Sequence, residues 1–414
     1  MTNRIHWAWI ILIASYLSIF TTISVRFSYN ILMPEMIASL KITKIQAGGI
    51  SSSFYLVYAI FSPFLGFLVD RVSARKLFIL SSVIMGTGTF LMGKSVSFLQ
   101  ACFFFAIVAL GSSGMWTPVL TLVQRWFGVR RRGMVLGILS TGFAIGYGIM
   151  GLILPPLVAQ FGWRTCWFIL SVPAFALVLI NGCLIRTKPQ DLNLRPWGEG
   201  PFSPIGTPSQ TSIGGLCYGD LLKTCNLWLV AISYFFIAFT AYVLNIFIVT
   251  YGNMELRFPY DQAAKLASAI AFSGALGALL IPFISDFLGR KRCLILIDVS
   301  LSASIILIIS AGSNWDVLLI AVCIFGFFYA SVWPMYAAAA ADFFPREVTG
   351  SVLGFWTIFY GLGVMLAGIL GGYIADLTGS FTRSFIAAAF AGALGASFIS
   401  PMKNVVPTHE KRKN

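Results

Sequence analysis

The chain has 414 residues, of which 58% are hydrophobic, 15% aromatic and only 10% charged. Soluble domains carry roughly a quarter charged residues, so this composition excludes a soluble enzyme, a disulfide-rich secreted domain and a disordered chain. In a soluble protein, a net charge of +14 would indicate nucleic-acid binding. Basic residues, however, also anchor the cytoplasmic loops of membrane proteins. We therefore interpret the chain as an integral membrane protein whose surroundings are the lipid bilayer, with no nucleic-acid partner.

Apolar runs follow one another along the chain, and each is long enough to cross the ~30 Å hydrocarbon core as a helix. They cover residues 7–33, 47–69, 77–93, 98–124, 133–158, 163–185, 223–250, 263–288, 293–312, 316–341, 350–374 and 382–401. The sequence thus predicts an all-α polytopic membrane protein with twelve transmembrane helices, which we call spans 1 to 12. The predicted domains are a six-helix bundle at 1–185, a cytoplasmic linker at 186–222, a second six-helix bundle at 223–401 and a basic tail at 402–414.

Most of the 28 Lys and Arg residues fall in segments that share one side of the membrane if the chain starts inside. Cytoplasmic loops carry an excess of basic residues, so we expect both termini and the linker to be cytoplasmic. The predicted location is the cell membrane, which is the inner membrane if the source is a bacterium or archaeon.

Two turn segments occur twice. The turn after span 2, `GFLVDRVSARK`, matches `PFISDFLGRKR` after span 8, which puts Asp70 and Asp286 at corresponding positions. The turn after span 4, `RWFGVRRRGMVLG`, matches `DFFPREVTGSVLG` after span 10. Such duplication predicts two structural repeats of six spans. The turn pattern and the 6+6 layout resemble the major facilitator superfamily, with Ser73, Pro282 and Phe287 as departures from its motif. The resemblance implies a carrier that works by alternating access.

Charged residues at these turns form a second candidate group. A carboxylate at a helix end caps a neighbouring helix and pairs with nearby Arg side chains. The resemblance implies that such pairs latch the carrier in one conformation, whereas the alternative is a solvated turn with basic anchors. The candidate latch residues are Asp70, Arg71, Arg75, Arg125, Asp286, Arg290 and Asp342.

Arg26 lies inside span 1, more than half way from its cytoplasmic end. A charged residue near the bilayer centre is costly, so it normally faces a cavity, where a guanidinium binds a carboxylate bidentately. The alternatives are an Arg26 that snorkels outward or pairs with an acid of another span. Tyr29 and Asn30 share its helix face. Aromatic and amide side chains of the central spans complete the predicted substrate site: Tyr55, Trp116, Thr117, Tyr147, Asn245, Tyr329, Trp333 and Tyr360.

Asp298 is the one acid away from the ends of a predicted span, and we expect it to pair with Arg290 or Arg292 at the start of span 9. Proton coupling through a dedicated central carboxylate therefore lacks a good candidate. Two mechanisms stay open: a weak-acid substrate brings a proton with it, or one anion exchanges for another.

Finer resemblances narrow the substrate class. `RIHWAWII`, `PPLVAQFGWR` and `KPQDLNLRPWGE` are similar to the monocarboxylate and oxalate/formate branch, and `VRFSYNILMPEM` is similar to the anion-symporter branch. Monocarboxylate carriers have Arg-Pro in span 8, whereas Ile281 precedes Pro282 here. We expect a monomeric, proton-coupled carrier of a small monocarboxylate-like anion, without cofactor, metal or enzymatic activity. An organic-anion exchanger of oxalate/formate or organophosphate type and a transporter-like sensor are the alternatives.

Overall fold

The computed structural model describes residues 6–128, 131–198, 224–344 and 348–402, and of residues 66, 67, 69–71 and 132 only the backbone. The chain divides into two compact units, residues 1–206 with 259–268 and residues 207–258 with 269–414. The predicted linker beyond residue 198 and the basic tail beyond residue 402 lie outside the described residues.

Long apolar helices build the first unit. They are α1 (Trp7–Leu40), α2 (Lys44–Arg71), α3 (Ala74–Gly93), α4 (Phe98–Ser113), α5 (Thr117–Trp126) and α6 (Arg132–Leu184), followed by a 3-10 turn at Pro189–Leu192. At Gly162 the backbone of α6 is non-helical, with φ 74° and ψ 163°. Glycine adopts this region at little steric cost, so α6 contains two consecutive spans, as the sequence predicted.

The second unit contains the remaining helices. They are α7 (Cys225–Thr250), continued by a π-helical turn at Tyr251–Glu255, then α8 (Tyr260–Leu288), α9 (Arg290–Ala311), α10 (Trp315–Tyr329), α11 (Val332–Phe343), α12 (Thr349–Thr378) and α13 (Phe381–Ile399). Eleven helical segments of the described chain are long and apolar enough to cross a membrane. One of them, Gly133–Leu184, has 52 residues and holds two spans. The all-α, twelve-span fold class is confirmed, and the chain is a multi-pass membrane protein; the cytoplasmic position of its termini stays a prediction.

Spans 4 and 10 are each broken into two helices, which the sequence did not predict. The first break lies between α4 and α5, where Gly114 and Met115 form a turn and Pro118 is the second residue of α5. The second lies between α10 and α11, at Ala330 and Ser331. The breaks occupy matching places in the two repeats, and interrupted helices at matching places are a feature of transporter binding sites.

The first turns of α8 pack inside the first unit, because residues 259–268 belong to it. The Tyr260 hydroxyl donates to the Ile31 carbonyl of α1 at 2.9 Å. Ser268 Oγ donates to the Gly148 carbonyl of α6 at 2.6 Å. Satisfied backbone and hydroxyl groups of this kind are expected where hydrogen bonds form out of reach of water. α8 is therefore a helix whose two ends belong to different units.

The first part of the predicted linker is docked on the first unit. The Trp197 amide donates to the Trp126 carbonyl at 2.9 Å, and Gly128 donates to the Trp197 carbonyl at 3.0 Å. The Trp197 ring lies 5.1 Å from Trp9 and 5.9 Å from Phe127, both edge-on. The chain after α6 thus returns to the ends of α1 and α5.

Candidate functional site

Arg26 lies in the second half of α1, among aromatic rings from α1 and α2. Its guanidinium carbon is 4.8 Å from the Tyr55 ring centroid and 5.4 Å from that of Tyr58. The rings of Phe27 and Phe54 lie at 5.2 Å and 5.5 Å. We call these four rings the Arg26 ring cluster. A cation over ring faces is attracted by the ring quadrupoles, and a planar guanidinium has the N–H geometry that matches a carboxylate.

The wall of this cluster continues onto α6. Phe27 stacks on Tyr147 with centroids 4.3 Å apart, and it meets Phe143 edge-on at 5.4 Å. Ser24 Oγ donates to the Gly146 carbonyl at 3.2 Å, which holds α1 close to α6. Tyr147, predicted as a substrate contact, is therefore one ring away from Arg26.

Tyr29 and Asn30, predicted on the face of Arg26, are both buried. The Tyr29 hydroxyl donates to the Ala47 carbonyl of α2 at 2.6 Å, and its ring lies 4.9 Å from Phe105 of α4. In this conformation the Tyr29 hydroxyl joins α1 to α2, and the ring packs towards α4.

Trp116 and Thr117 lie at the break between α4 and α5. The Trp116 ring is 6.5 Å from Phe143, which contacts Phe27 in turn. Thr117 is the first residue of α5 and is exposed. The break brings Trp116 to the aromatic wall of α6, so four of the predicted contacts of the first unit, Arg26, Tyr55, Tyr147 and Trp116, belong to one continuous group.

The predicted contacts of the second unit form a tyrosine-rich group on α7, α10 and α12. Tyr360 and Tyr242 hydroxyls are 3.3 Å apart, and the Tyr242 and Tyr329 rings meet edge-on at 5.9 Å. Asn245 lies one turn after Tyr242 on α7 and is fully buried. Trp333 lies just after the break between α10 and α11 and is 44% exposed. Aromatic walls with few charged groups suit a partly apolar ligand.

Asp298 does not have the partner that the sequence suggested. Its Oδ2 accepts a hydrogen bond from Ser233 Oγ of α7 at 3.1 Å, and its side chain is fully buried in α9. Arg290 instead bonds to Asp286 and Asp342. The predicted pairing of Asp298 with Arg290 or Arg292 is therefore wrong, because the carboxyl group faces α7 across the bundle and not the first turn of its own helix.

Three latch candidates meet at the second repeated turn. Arg290 at the start of α9 contacts Asp286 at 2.6 Å and donates from Nε to Asp342 of α11 at 2.7 Å. It also donates to the Pro282 carbonyl at 3.2 Å and to Ser285. This network joins the ends of α8, α9 and α11 within the second unit.

Fewer side chains are described at the first repeated turn than at the second. The side chains of Asp70 and Arg71 lie outside the described residues. Arg75 is exposed in the first turn of α3, and Arg125 is half-buried near the end of α5. Arg125 occupies the place in the first repeat that Asp342 occupies in the second.

The sequence did not predict Phe27, Phe54 and Phe143 of the aromatic group, or Ser233 beside Asp298. Phenylalanine and serine inside an apolar run look like ordinary packing between helices. The only signal was position, because Phe27 follows Arg26 and Phe54 precedes Tyr55.

Comparison with known proteins agrees with this architecture. The model of the Major Facilitator Superfamily matches residues 12–297 and 230–414, which confirms the resemblance found at the repeated turns. The nucleoside transporter NupG has a similar structure, with a TM-score of 0.77 at 16% sequence identity over 96% of this chain and 100% of NupG. At that identity the similarity concerns the fold alone.

Curated relatives cover nearly the whole chain. The membrane sensor protein UhpC of Salmonella typhimurium is 26% identical over 98% of this chain and 93% of its own length. The cis,cis-muconate transport protein of Acinetobacter baylyi is 25% identical over 87% of this chain and 83% of its own. Monocarboxylate transporter 12 of Mus musculus is 23% identical over 93% of this chain and 83% of its own length.

Proposed function

We propose that this chain, which belongs to the Major Facilitator Superfamily, is a secondary transporter of a small, partly apolar organic anion. The observation that carries the proposal is Arg26, placed deep in α1 with ring faces at 4.8–5.5 Å from its guanidinium carbon. A cation inside the membrane normally serves a ligand or a pathway. The guanidinium fork matches a carboxylate bidentately, and the rings around it suit the apolar part of the same molecule.

The proposal names substrate contacts in each unit separately, beginning with Arg26 in the first. In the first unit it uses Tyr55, Trp116 and Tyr147. In the second it uses the tyrosine-rich group of Tyr329 and Tyr360 with Asn245. The broken spans 4 and 10 support this choice, since interrupted helices at corresponding positions mark substrate sites in transporters built from repeats. The two six-span repeats then alternate in opening the site to each side of the membrane.

For the driving force, we propose co-transport of a proton with the anion. Relatives named for monocarboxylate and muconate transport support a carboxylate substrate, and a weak acid moves with its proton at no cost in net charge. Exchange of one organic anion for another is the competing mechanism. It predicts uptake that depends on anion preloaded inside the vesicle and not on the pH gradient.

Uptake into liposomes tests the proposal. The purified protein is reconstituted, and radiolabelled cis,cis-muconate, lactate and benzoate are offered with glucose as the neutral comparison. We expect saturable uptake of at least one carboxylate, competed by the unlabelled carboxylate and increased when the outside is acidified. Uptake of glucose alone would contradict the anion assignment.

A sensor is the second candidate, because UhpC, at 26% identity over 98% of this chain, is named a membrane sensor protein. A sensor that has kept the carrier fold binds its ligand without moving it. Binding of a carboxylate by the purified protein, together with the absence of uptake and of counterflow, would favour this candidate over the transporter.

A further inference from the structure

The second unit contains a carboxyl group that the proposed anion site does not use. Asp298 lies in the membrane-spanning helix α9 and is 0% exposed. Its Oδ2 accepts one hydrogen bond, from Ser233 at 3.1 Å. Its Oδ1 has no hydrogen-bond donor among the described residues. An ionised carboxylate needs several donors or a cation when it is removed from water, and one hydroxyl group is far from sufficient.

Among the described residues, the helices around Asp298 bring no cation to it. α7 faces it with Ser233, α11 faces it with Tyr336 beyond Ser233, and α13 approaches with Gly395, where an added Cβ would lie 3.2 Å from Oδ2. Tyr336 is the titratable group that faces Asp298 from a neighbouring helix in the described part of the chain. Arg290, on the same helix two turns earlier, is engaged by Asp286 and Asp342.

Ser233 links Asp298 to the tyrosine-rich group. The Ser233 and Tyr336 hydroxyls are 2.9 Å apart. Tyr336 stacks on Tyr234 with centroids 3.9 Å apart, and Tyr234 lies 4.7 Å from Tyr360. A serine hydroxyl has one hydrogen to donate. If Ser233 donates to a carboxylate, Tyr336 must donate to Ser233; if Asp298 carries the proton and donates it, Ser233 donates to Tyr336. Protonation of Asp298 therefore reverses the direction of the Ser233–Tyr336 hydrogen bond, and ring contacts connect Tyr336 to Tyr360 through Tyr234.

The first repeat shows that the fold does not require a carboxyl group at this place. Asp298 lies twelve residues after Asp286, and Ser82 lies twelve residues after Asp70. Ser82 accepts from Asn181 Nδ2 at 3.2 Å, and Asn181 Oδ1 accepts from Ser18 at 3.1 Å. This neutral network joins α3, α6 and α1, as Asp298 joins α9 to α7. The acid in the second repeat is thus an addition to a packing arrangement that works with neutral groups.

We propose that Asp298 is the proton-binding site of this transporter. Its carboxylate takes up a proton from one side of the membrane, holds it as a neutral carboxylic acid in the conformation described here, and releases it on the other side. The direction of the Ser233–Tyr336 hydrogen bond depends on whether Asp298 is protonated, and this couples Asp298 to the tyrosine-rich group. The inference rests on the proton-coupled transport proposed above and gives that coupling a residue outside the Arg26 ring cluster.

Transport by matched variants in liposomes tests this site. Asp298→Asn keeps the shape without the titratable proton, Asp298→Ser copies the counterpart residue of the first repeat, and Ser82→Ala is the control. With radiolabelled cis,cis-muconate, lactate and benzoate as probes, we expect both Asp298 variants to lose the accumulation driven by a pH gradient, down to the level without a gradient. Counterflow, which needs no net proton movement, should persist in them, and Ser82→Ala should retain both activities.

Accumulation by Asp298→Asn at the wild-type level would overturn the inference while leaving the transporter proposal intact. Counterflow without gradient-driven accumulation in the wild type would overturn it as well. If the wild type moves none of the probes, the transport proposal fails, and infrared difference spectra between acidic and alkaline pH decide the proton site separately. We expect a protonated-carboxyl C=O band in the wild type that Asp298→Asn lacks; identical spectra would refute proton binding at Asp298.

Discussion

At the scale of single residues, the aromatic surroundings of Arg26 suit the binding of a partly apolar anion. Ring faces stabilise a guanidinium by a modest amount, about 0.5–2 kcal/mol each. The rings of Tyr55 and Tyr58 lie at 4.8 Å and 5.4 Å. A carboxylate that binds at the guanidinium gains charge-assisted hydrogen bonds.

Substitution of Arg26 tests this interpretation. Arg26→Lys keeps the charge but loses the planar fork, so the apparent affinity for the carboxylate should fall. Arg26→Ala should abolish saturable uptake in liposomes. One charge-assisted hydrogen bond is worth about 1.5–3 kcal/mol, so its loss should cost about 10- to 150-fold in affinity. The affinity is measured from the concentration dependence of uptake.

Arg164 provides the matched control. Its guanidinium also lies over a ring, 4.3 Å from Trp163, and it donates to Ser39 and Ser95. Arg164→Lys should leave affinity unchanged. If Arg26→Ala kept nearly wild-type affinity, the proposed anion site would not lie on α1. The substrate would then have to be a neutral molecule.

Sequence alone predicted Arg26, Tyr55 and Tyr147 as members of one group because charge and aromatic rings are unusual inside an apolar run. It could not predict Ser233 as the partner of Asp298, which is 65 positions away. Arg290 and Arg292, about two turns earlier in α9, are much closer to Asp298 in sequence than Ser233 is. Which face of α9 turns towards α7 depends on helix packing, and hydropathy carries no information about it.

At the scale of helices, hydropathy predicted the spans but not the breaks in spans 4 and 10. Residues on both sides of each break are apolar, so the sequence pattern is continuous, whereas the backbone is interrupted at Gly114 and at Ala330. The repeated turn after span 8 was different. Charged residues at a predicted helix end indicated an ion-pair network, and the structure brings Asp286, Arg290 and Asp342 together.

Removal of one carboxylate from this network should slow transport. Asp342→Asn takes away the acceptor of the 2.7 Å hydrogen bond from Arg290 and weakens the connection between α9 and α11. We expect a lower maximal uptake rate and a nearly unchanged half-saturation concentration, since the network lies at helix ends and not at the ring groups. Asp261→Asn is the control, because its pair with Lys265 has side chains 60% and 51% exposed and exposed pairs contribute little. An unchanged rate in Asp342→Asn would show that this network does not limit the conformational change.

At the scale of the whole molecule, the repeat assigns α8 entirely to the second six-span half, while its first turns pack in the first compact unit. Ser268 donates to Gly148 and Tyr260 donates to Ile31. If the repeats alternate in opening to the two sides, these bonds must break once in every transport cycle. Two hydrogen bonds of about 1 kcal/mol each are weak enough to allow that.

A reversible disulfide tests this requirement. In a variant without the native cysteines, Gly151→Cys and Ser268→Cys together should cross-link under mild oxidation, because a Cβ added at Gly151 would lie in direct contact with Ser268 Oγ. We expect the cross-link to stop uptake of the labelled carboxylates, and reduction with dithiothreitol to restore it.

The control pair is Ser24→Cys with Gly146→Cys, since Ser24 contacts the Gly146 carbonyl at 3.2 Å and both residues belong to the same repeat, which moves as one body. That cross-link should leave uptake intact. Full transport by the cross-linked 151–268 pair would mean that these contacts persist through the cycle, and alternating access about the two repeats would have to be given up.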